Sequence, residues 1–246
     1  MLFRLPVFLL SLSLPAFTIA DTQRLRVVTS NYPPYEHLKE GKVVGTHTDI
    51  VRQALSAMGY PADIRVLPWA RAEATTRAGT SDMIYSLTYS RERSRHYHFT
   101  APISEARDVF FKLKGSDLQW QELDDLAGLR IGLSAAYSYA PEFMAWLAQG
   151  NARVTQISHE SPEMTGLRMV ALGRIDLFIC EESVCSYHIE ENISEFPELG
   201  KVDSIPRMVG SVRGFRAAFS RQHPRGEVLR DEFNRVLENI RPTDPD

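Results

Sequence analysis

The sequence predicts an α/β protein of two similar lobes, and three observations carry that expectation. Apolar stretches alternate between strand-like and helix-like spacing in the order strand–helix–strand–helix–strand, and they do so twice. The motif Gly-x-x-Asp stands before the third strand of each set, at Gly79 to Asp82 and at Gly173 to Asp176. The composition, 43% hydrophobic and 24% charged over 246 residues, is globular, and no run after residue 20 is apolar enough to span a bilayer. Parallel strands need crossover helices, so both sheets are expected to be mostly parallel.

The elements follow in order. Residues 1–20 carry one positive charge at Arg4, an apolar stretch over 5–14 and the small residue Ala20, the order of an export signal cleaved before Asp21. An uncleaved membrane anchor is the alternative. A strand over 25–29 runs into Ser30-Asn31-Tyr32-Pro33-Pro34, where proline cannot donate to a ladder. Thr48 is expected to cap a helix whose apolar positions are Ile50, Val51, Ala54, Leu55 and Met58, with Gly59 as its stop. A strand over 64–67, a helix over 69–78 and a strand from Met83 to Leu87 complete the first set. The second set has strands over 129–133, 154–157 and 177–180. Its helices run over 141–147 and from a Ser161 cap through Met164, Leu167, Met169, Val170 and Leu172.

In open parallel sheets ligands sit beyond the carboxyl ends of the strands, which directs attention to the residues after each strand. Ser86, Thr88 and Ser90 are followed by Arg91 and Arg93; hydroxyls and a planar guanidinium fork suit a carboxylate. Arginines pairing with surface acids are the plainer reading of the same residues. Glu181 and Glu182 follow the corresponding strand of the second lobe and suit an ammonium group, or else simply begin a helix. Arginine on one lobe and glutamate on the other would grip the two ends of a zwitterion. Tyr32, Tyr35, Trp69 and Tyr85 offer flat faces, and Arg71 joins Trp69 at the site if both lie on a helix's opening turn.

The ordered motifs Tyr32-Pro33-Pro34-Tyr35, Gly45 to Asp49, Ser81-Asp82 through Arg93 to Ile103, Leu126 to Gly132, and Gly173-Arg174-Ile175-Asp176 resemble those of the family 3 extracellular solute-binding proteins. The likeness runs over about residues 24–240, and Pro68-Trp69-Ala70-Arg71-Ala72 looks like a divergent subgroup. The resemblance implies the two-lobed periplasmic binding protein fold with the ligand cleft between lobes, crossed twice by the chain. Lobe 1 would then be 22–110 plus 207–246 and lobe 2 would be 111–206, with crossings near 108–112 and 205–209. It also implies Arg93 as the carboxylate-binding arginine after Ser86 and Thr88, Tyr32 as the aromatic packed on the ligand, Glu181 as the acid for the ammonium, and Tyr137 and Ser138 at the lobe-two helix start. Three departures stand out: Ala136 replaces a glycine; His47 replaces an acid, a change read as a surface or helix-start polar residue; and the sequence stops soon after a helix expected over 228–240, without the family's usual final helix and strand.

Function is therefore expected to be periplasmic binding of an amino acid or similar small zwitterion, without chemistry of its own, by a monomer serving an ABC importer's inner-membrane permease or a membrane sensor. A dehydratase-like enzyme on the same scaffold, with Glu181 or Glu182 as general acid, is the rival. The net charge of -3, from 28 basic and 31 acidic residues, leaves no footprint for nucleic acid. Neither cofactor nor metal is expected, because His96, His98, His159 and His188 have no ligand spacing and no phosphate loop is present. Cys180 and Cys185, five residues apart, leave a disulfide open.

Overall fold

A computed structural model describes residues 24–135, 137–159 and 161–240. The export signal over 1–20 and Ala136 lie outside the described residues.

The first set folds as β1 (Leu25–Thr29), α1 (Thr46–Ala57), β4 (Ala62–Val66), α2 (Trp69–Arg77) and β5 (Met83–Thr88), with a hairpin of β2 (His37–Lys39) and β3 (Lys42–Val44) inserted before α1. The second set is β8 (Arg130–Ser134), α3 (Pro141–Ala148), β9 (Arg153–Ile157), α4 (Pro162–Ala171) and β10 (Leu177–Glu181). Between and after them run β6 (Tyr97–Ala106), β7 (Asp108–Leu113), α5 (Glu182–Asn192), β11 (Val202–Met208), β12 (Arg213–Ser220) and α6 (Gly226–Ile240).

Two five-stranded sheets result, with strand orders β4-β1-β5-β12-β6 and β11-β7-β10-β8-β9. Each is mixed rather than mostly parallel. In the first sheet β1 pairs β4 and β5 in parallel while β12 pairs β5 and β6 antiparallel. The second mirrors this, with β8 parallel to β9 and β10, and β7 antiparallel to β10 and β11. The antiparallel strands are those that carry the chain between the sheets, so they need no crossover helix. Passage occurs at Arg107, between β6 and β7, and over 209–212, between β11 and β12. The expected crossings over 108–112 and 205–209 lie mostly within strands of the second sheet, whose ladders hold them there.

Two local expectations are corrected. Thr48 does not cap α1: Gly45 is the N-cap, and the carbonyls of Pro34 and Tyr35 accept from the free amides of Thr46, His47 and Thr48. A Cβ at Gly45 would lie 2.3 Å from the Tyr35 carbonyl oxygen, and its φ of 122° is open to glycine, so the close approach that caps the helix requires that residue. Ser161 is the N-cap of α4 but its side chain makes no capping bond, and Leu172, expected on the apolar face, is 52% exposed just past the helix end.

Each sheet buries its own core. Val27, Leu55, Met83, Phe219 and Phe233 are fully enclosed on one face of the first sheet, where α1 and α6 pack. Phe110, Ile131, Phe143 and Leu177 are enclosed on one face of the second, and Phe111, Leu167 and Phe178 on the other. α4 comes close to that sheet because Gly166 has no side chain: a Cβ there would fall 2.4 Å from the buried Phe178 ring. Among the described residues no helix is long and apolar enough to cross a membrane.

Candidate functional site

The carboxyl ends of β1, β5, β8 and β10 face one cavity between the two sheets, partly open to solvent. Ser30, Tyr32, Trp69, Ser86, Thr88 and Arg93 line it from the first sheet's side. Asp108, Ser134, Tyr137, Ser138, Glu163 and Glu181 line it from the second's.

Arg93 lies in a 3₁₀ turn just after β5 and is 7% exposed. Its Nε donates to Glu73 Oε1 at 2.8 Å and its Nη1 to the Thr88 carbonyl at 3.1 Å. The guanidinium carbon stands 5.6 Å from the centre of the Trp69 ring, a cation–π contact that fixes the plane of the fork. Its Nη2 bonds to no described residue. Trp69 Nε1 is buried without a hydrogen-bond partner among the described residues. Arg93 and Trp69 thus bring unpaired donors to one side of the cavity, chemistry that suits a carboxylate.

Glu181 faces them from the end of β10. It is the N-cap of α5, accepting from Val184 N–H at 3.0 Å through Oε2, while Tyr35 donates to its Oε1 at 3.1 Å across the cleft. The glutamate thus begins a helix, as one sequence reading had it, and also lines the cavity. Burial pushes its carboxyl up to about 7, against the downward pull of the Val184 amide and the Tyr35 hydroxyl. Burial likewise raises the Tyr35 phenol, which remains a donor.

The remaining expected residues divide. Tyr32 packs edge-on against Tyr137 of the opposite side at 5.7 Å, and Ser86, Thr88, Tyr137 and Ser138 line the cavity. Tyr85 does not. Its ring is fully buried and its hydroxyl is 2.8 Å from that of Thr48, because the side chain points to the other face of β5 from Ser86. Arg71 shares the opening turn of α2 with Trp69, as the expectation required, yet it is exposed and outside the cavity lining, one-third of the way around the helix or more.

Sequence reasoning missed four groups. The buried Asp108 and the half-buried Arg213 form an ion pair beside the two passages of the chain, and Arg213 also donates to the Ser138 carbonyl at 2.5 Å and to Thr88 Oγ1 at 3.3 Å. Glu163, at the start of α4, is 3% exposed; the Tyr137 hydroxyl favours its ionised form, and its Oε1 has no hydrogen-bond partner among the described residues. Glu36 is wholly buried and accepts from the Ser86 hydroxyl at 2.5 Å. His47, expected at the surface, is 1% exposed. It is 2.8 Å from Ser86 Oγ and 2.7 Å from Ser104 Oγ, with the Tyr35 ring stacked on it at 4.2 Å. Burial lowers it to about 3, so it is a neutral hydrogen-bond link rather than a charge. Position on a helix start gave no sign of this depth; only the loop of residues 33–36 folding over α1 creates it.

Cys180 and Cys185 are joined in a disulfide with Cα atoms 6.2 Å apart, which ties the end of β10 to α5 directly beside Glu181. Among the described residues no cluster of His, Cys, Asp or Glu is arranged to hold a metal.

Comparison with known proteins adds three findings. The family model for bacterial extracellular solute-binding proteins, family 3, matches residues 25–244. The L-cystine-binding protein TcyJ of Escherichia coli (strain K12) is 24% identical over 152 residues, 61% of this chain and 55% of that protein, so the match spans about half of that relative's length. A Haemophilus influenzae protein named "Probable amino-acid ABC transporter-binding protein" is 25% identical over 228 residues, 91% of this chain and 81% of its own. Among solved structures, the arginine-bound truncated ArgBP from T. maritima superposes with a TM-score of 0.72 at 18% identity, covering 89% of this chain and 96% of that one. A histidine kinase sensor domain with similarity to periplasmic binding proteins has a TM-score of 0.72 at 22% identity, covering 89% and 90%. These two show a shared two-lobed fold.

Proposed function

The chain belongs to the bacterial extracellular solute-binding proteins, family 3, and from that premise we propose that it binds an amino acid or similar small zwitterion outside the cytoplasm and delivers it to an inner-membrane permease. The observation that carries this reading is the polarity of the cavity: paired donors from Trp69 and Arg93 on one side, the Glu181 carboxyl on the other. The ligand's carboxylate lies against Arg93 and Trp69 Nε1, with the Thr88 and Ser86 hydroxyls beside it. Its α-ammonium meets Glu181, and Tyr32 and Tyr137 close over its carbon skeleton. Because the arginine and the glutamate stand on different sheets, a ligand gripping both stabilises the closed cleft. The names of the cystine-binding and amino-acid-transporter relatives support this ligand class, and the disulfide supports an oxidising compartment such as the periplasm. On this reading lobe 1 comprises residues 24–106 with 213–240 and lobe 2 residues 108–208, following the two sheets.

A thermal-shift screen against amino acids, polyamines and small carboxylates, followed by calorimetry on the ligand found, tests the proposal. Arg93→Ala should weaken binding by about 30-fold or more, since truncating one partner of a buried charge pair typically costs about 2 to 5 kcal/mol. Arg91→Ala is the control, because that exposed residue is outside the cavity lining and exposed charges contribute about 0 to 1 kcal/mol. Equal losses for the two arginines would remove the site assignment. Chromatography should recover the ligand unaltered; a new product would favour an enzyme on this scaffold.

A further inference from the structure

We propose that Glu163 is a second acidic subsite in the cavity, which selects an amino acid carrying an additional cationic group at its far end. This rests on the amino-acid reading above and specifies its ligand class.

The inference starts from the charges that surround the cavity. Asp108 is paired with Arg213, and Glu73 is paired with Arg93. Glu181 and Glu163 are the two lining carboxyls that no cation among the described residues faces. A single α-ammonium accounts for Glu181. Glu163 is then a buried acid whose Oε1 has no hydrogen-bond partner among the described residues, a position where an unmade bond is costly and more so for a charge. Glu36 also leaves one oxygen without a partner among the described residues, but it stands behind Ser86 and outside the cavity lining, whereas Glu163 lines the cavity. Here the Tyr137 hydroxyl alongside favours the ionised carboxyl, and Glu163 belongs to the cavity lining.

Its setting also favours recognition of a cation. Glu163 is the second residue of α4, after Pro162, where the helix's unpaired amides and positive end favour a negative charge. Burial opposes ionisation, raising the carboxyl above its ordinary range, and the backbone amide and Tyr137 pull the other way. An incoming ammonium or guanidinium supplies the missing compensation, so the ionised acid and the cation stabilise each other in a site shielded from water. A neutral side chain would leave the acceptor unfilled. The resulting ligand has one carboxylate for Arg93 and two cationic groups, one for each glutamate.

The test uses pairs of amino acids that differ at that end alone: L-lysine against L-norleucine, and L-arginine against L-citrulline, measured by calorimetry on the wild type and on Glu163→Gln. The wild type should prefer the cationic member of at least one pair by about tenfold or more. Glu163→Gln keeps an acceptor for Tyr137, and it should abolish most of that preference while changing the neutral member's affinity less than about threefold. Unfolding of Glu163→Gln at or above the wild-type temperature would show that any loss is not a folding defect. Equal affinity for the members of both pairs, or a preference unchanged in Glu163→Gln, would overturn the second subsite and leave the amino-acid reading intact, with Arg93→Ala still impairing binding. Failure of all four to bind, together with silence across the wider amino-acid screen, would overturn that reading and this one with it.

Discussion

Glu181 shows how burial changes the protonation of a carboxyl that lines the cavity. Its ordinary value is 4.5 and its folded value is about 7, with Tyr35, the Val184 and Arg107 amides and Asp108 as the groups that face it. The folded chain therefore holds a proton that the unfolded chain has lost between those values, so stability falls as pH rises from about 4.5 through about 7. The ionised acid costs on the order of 3 kcal/mol above that range. In unfolding experiments without ligand, Glu181→Gln should flatten part of the decline between about pH 5 and pH 8. A decline as steep as the wild type's would place its origin in the other raised acids, Glu36, Glu163 and Asp108. With an ammonium against Glu181, binding should release a proton below neutrality, visible as a buffer-dependent heat. The hydroxyl of Ser86 belongs to the same scale: Glu36 and His47 hold it from behind, so the face of β5 that meets the cavity is fixed by groups outside the cavity lining.

At the scale of elements, the repeated Gly-x-x-Asp motif acquires a structural meaning. Asp82 accepts from the Arg26 backbone amide at 2.8 Å and from that arginine's side chain at 3.0 and 2.6 Å. Asp176 does the same with Arg130, at 2.8, 3.1 and 2.6 Å. Each aspartate thus locks the start of its lobe's first strand to the start of its third, at the end of the sheet remote from the cavity. The two locks differ in exposure: the Asp82 side chain is 7% accessible and that of Asp176 is 29%. Water can replace the second more readily, so Asp82→Ala should lower stability by about 2 kcal/mol and Asp176→Ala by about half as much, as read from denaturant midpoints. Equal losses would mean that exposure does not decide the cost. The motif was legible in the sequence as a repeat, yet its arginine partners were not, because they stand 56 and 46 residues away.

The whole molecule is held at its two passages by Arg213 and Asp108, one beside each connecting segment. Arg213 leaves β12 of the first sheet and bonds to Asp108 and to the Ser138 carbonyl of the other lobe. Asp108 is 7% exposed, and burial holds it above the ordinary carboxylate range even with the guanidinium alongside. Arg213→Ala should therefore cost about 3 to 5 kcal/mol, mostly from the charge left unpaired. Adding Asp108→Asn should recover a large part of that loss in calorimetry. Failure of the double variant to recover would shift the cost to the lost Ser138 and Thr88 contacts. Scattering profiles should also show Arg213→Ala to be more open than the wild type, since a brace across the passages favours the closed cleft.

The sequence by itself determined the two strand–helix sets, the order of their elements, and the residues after each strand that were worth inspecting, because side-chain periodicity and turn chemistry act over a few neighbours. From those came Tyr32, Trp69, Ser86, Thr88, Arg93, Tyr137, Ser138 and Glu181, all of which line the cavity. Tyr85 and Arg71 went astray on local geometry, one turned to the opposite face of its strand and the other outward on its helix. Tertiary structure alone decided the rest: that the passage strands run antiparallel, that His47 and Glu36 are buried behind Ser86, that Cys180 meets Cys185, and that Arg213 reaches Asp108 over 105 positions of chain. Burial and ion pairing depend on what the rest of the chain places alongside a residue, and no local pattern encodes a partner that arrives from the other sheet.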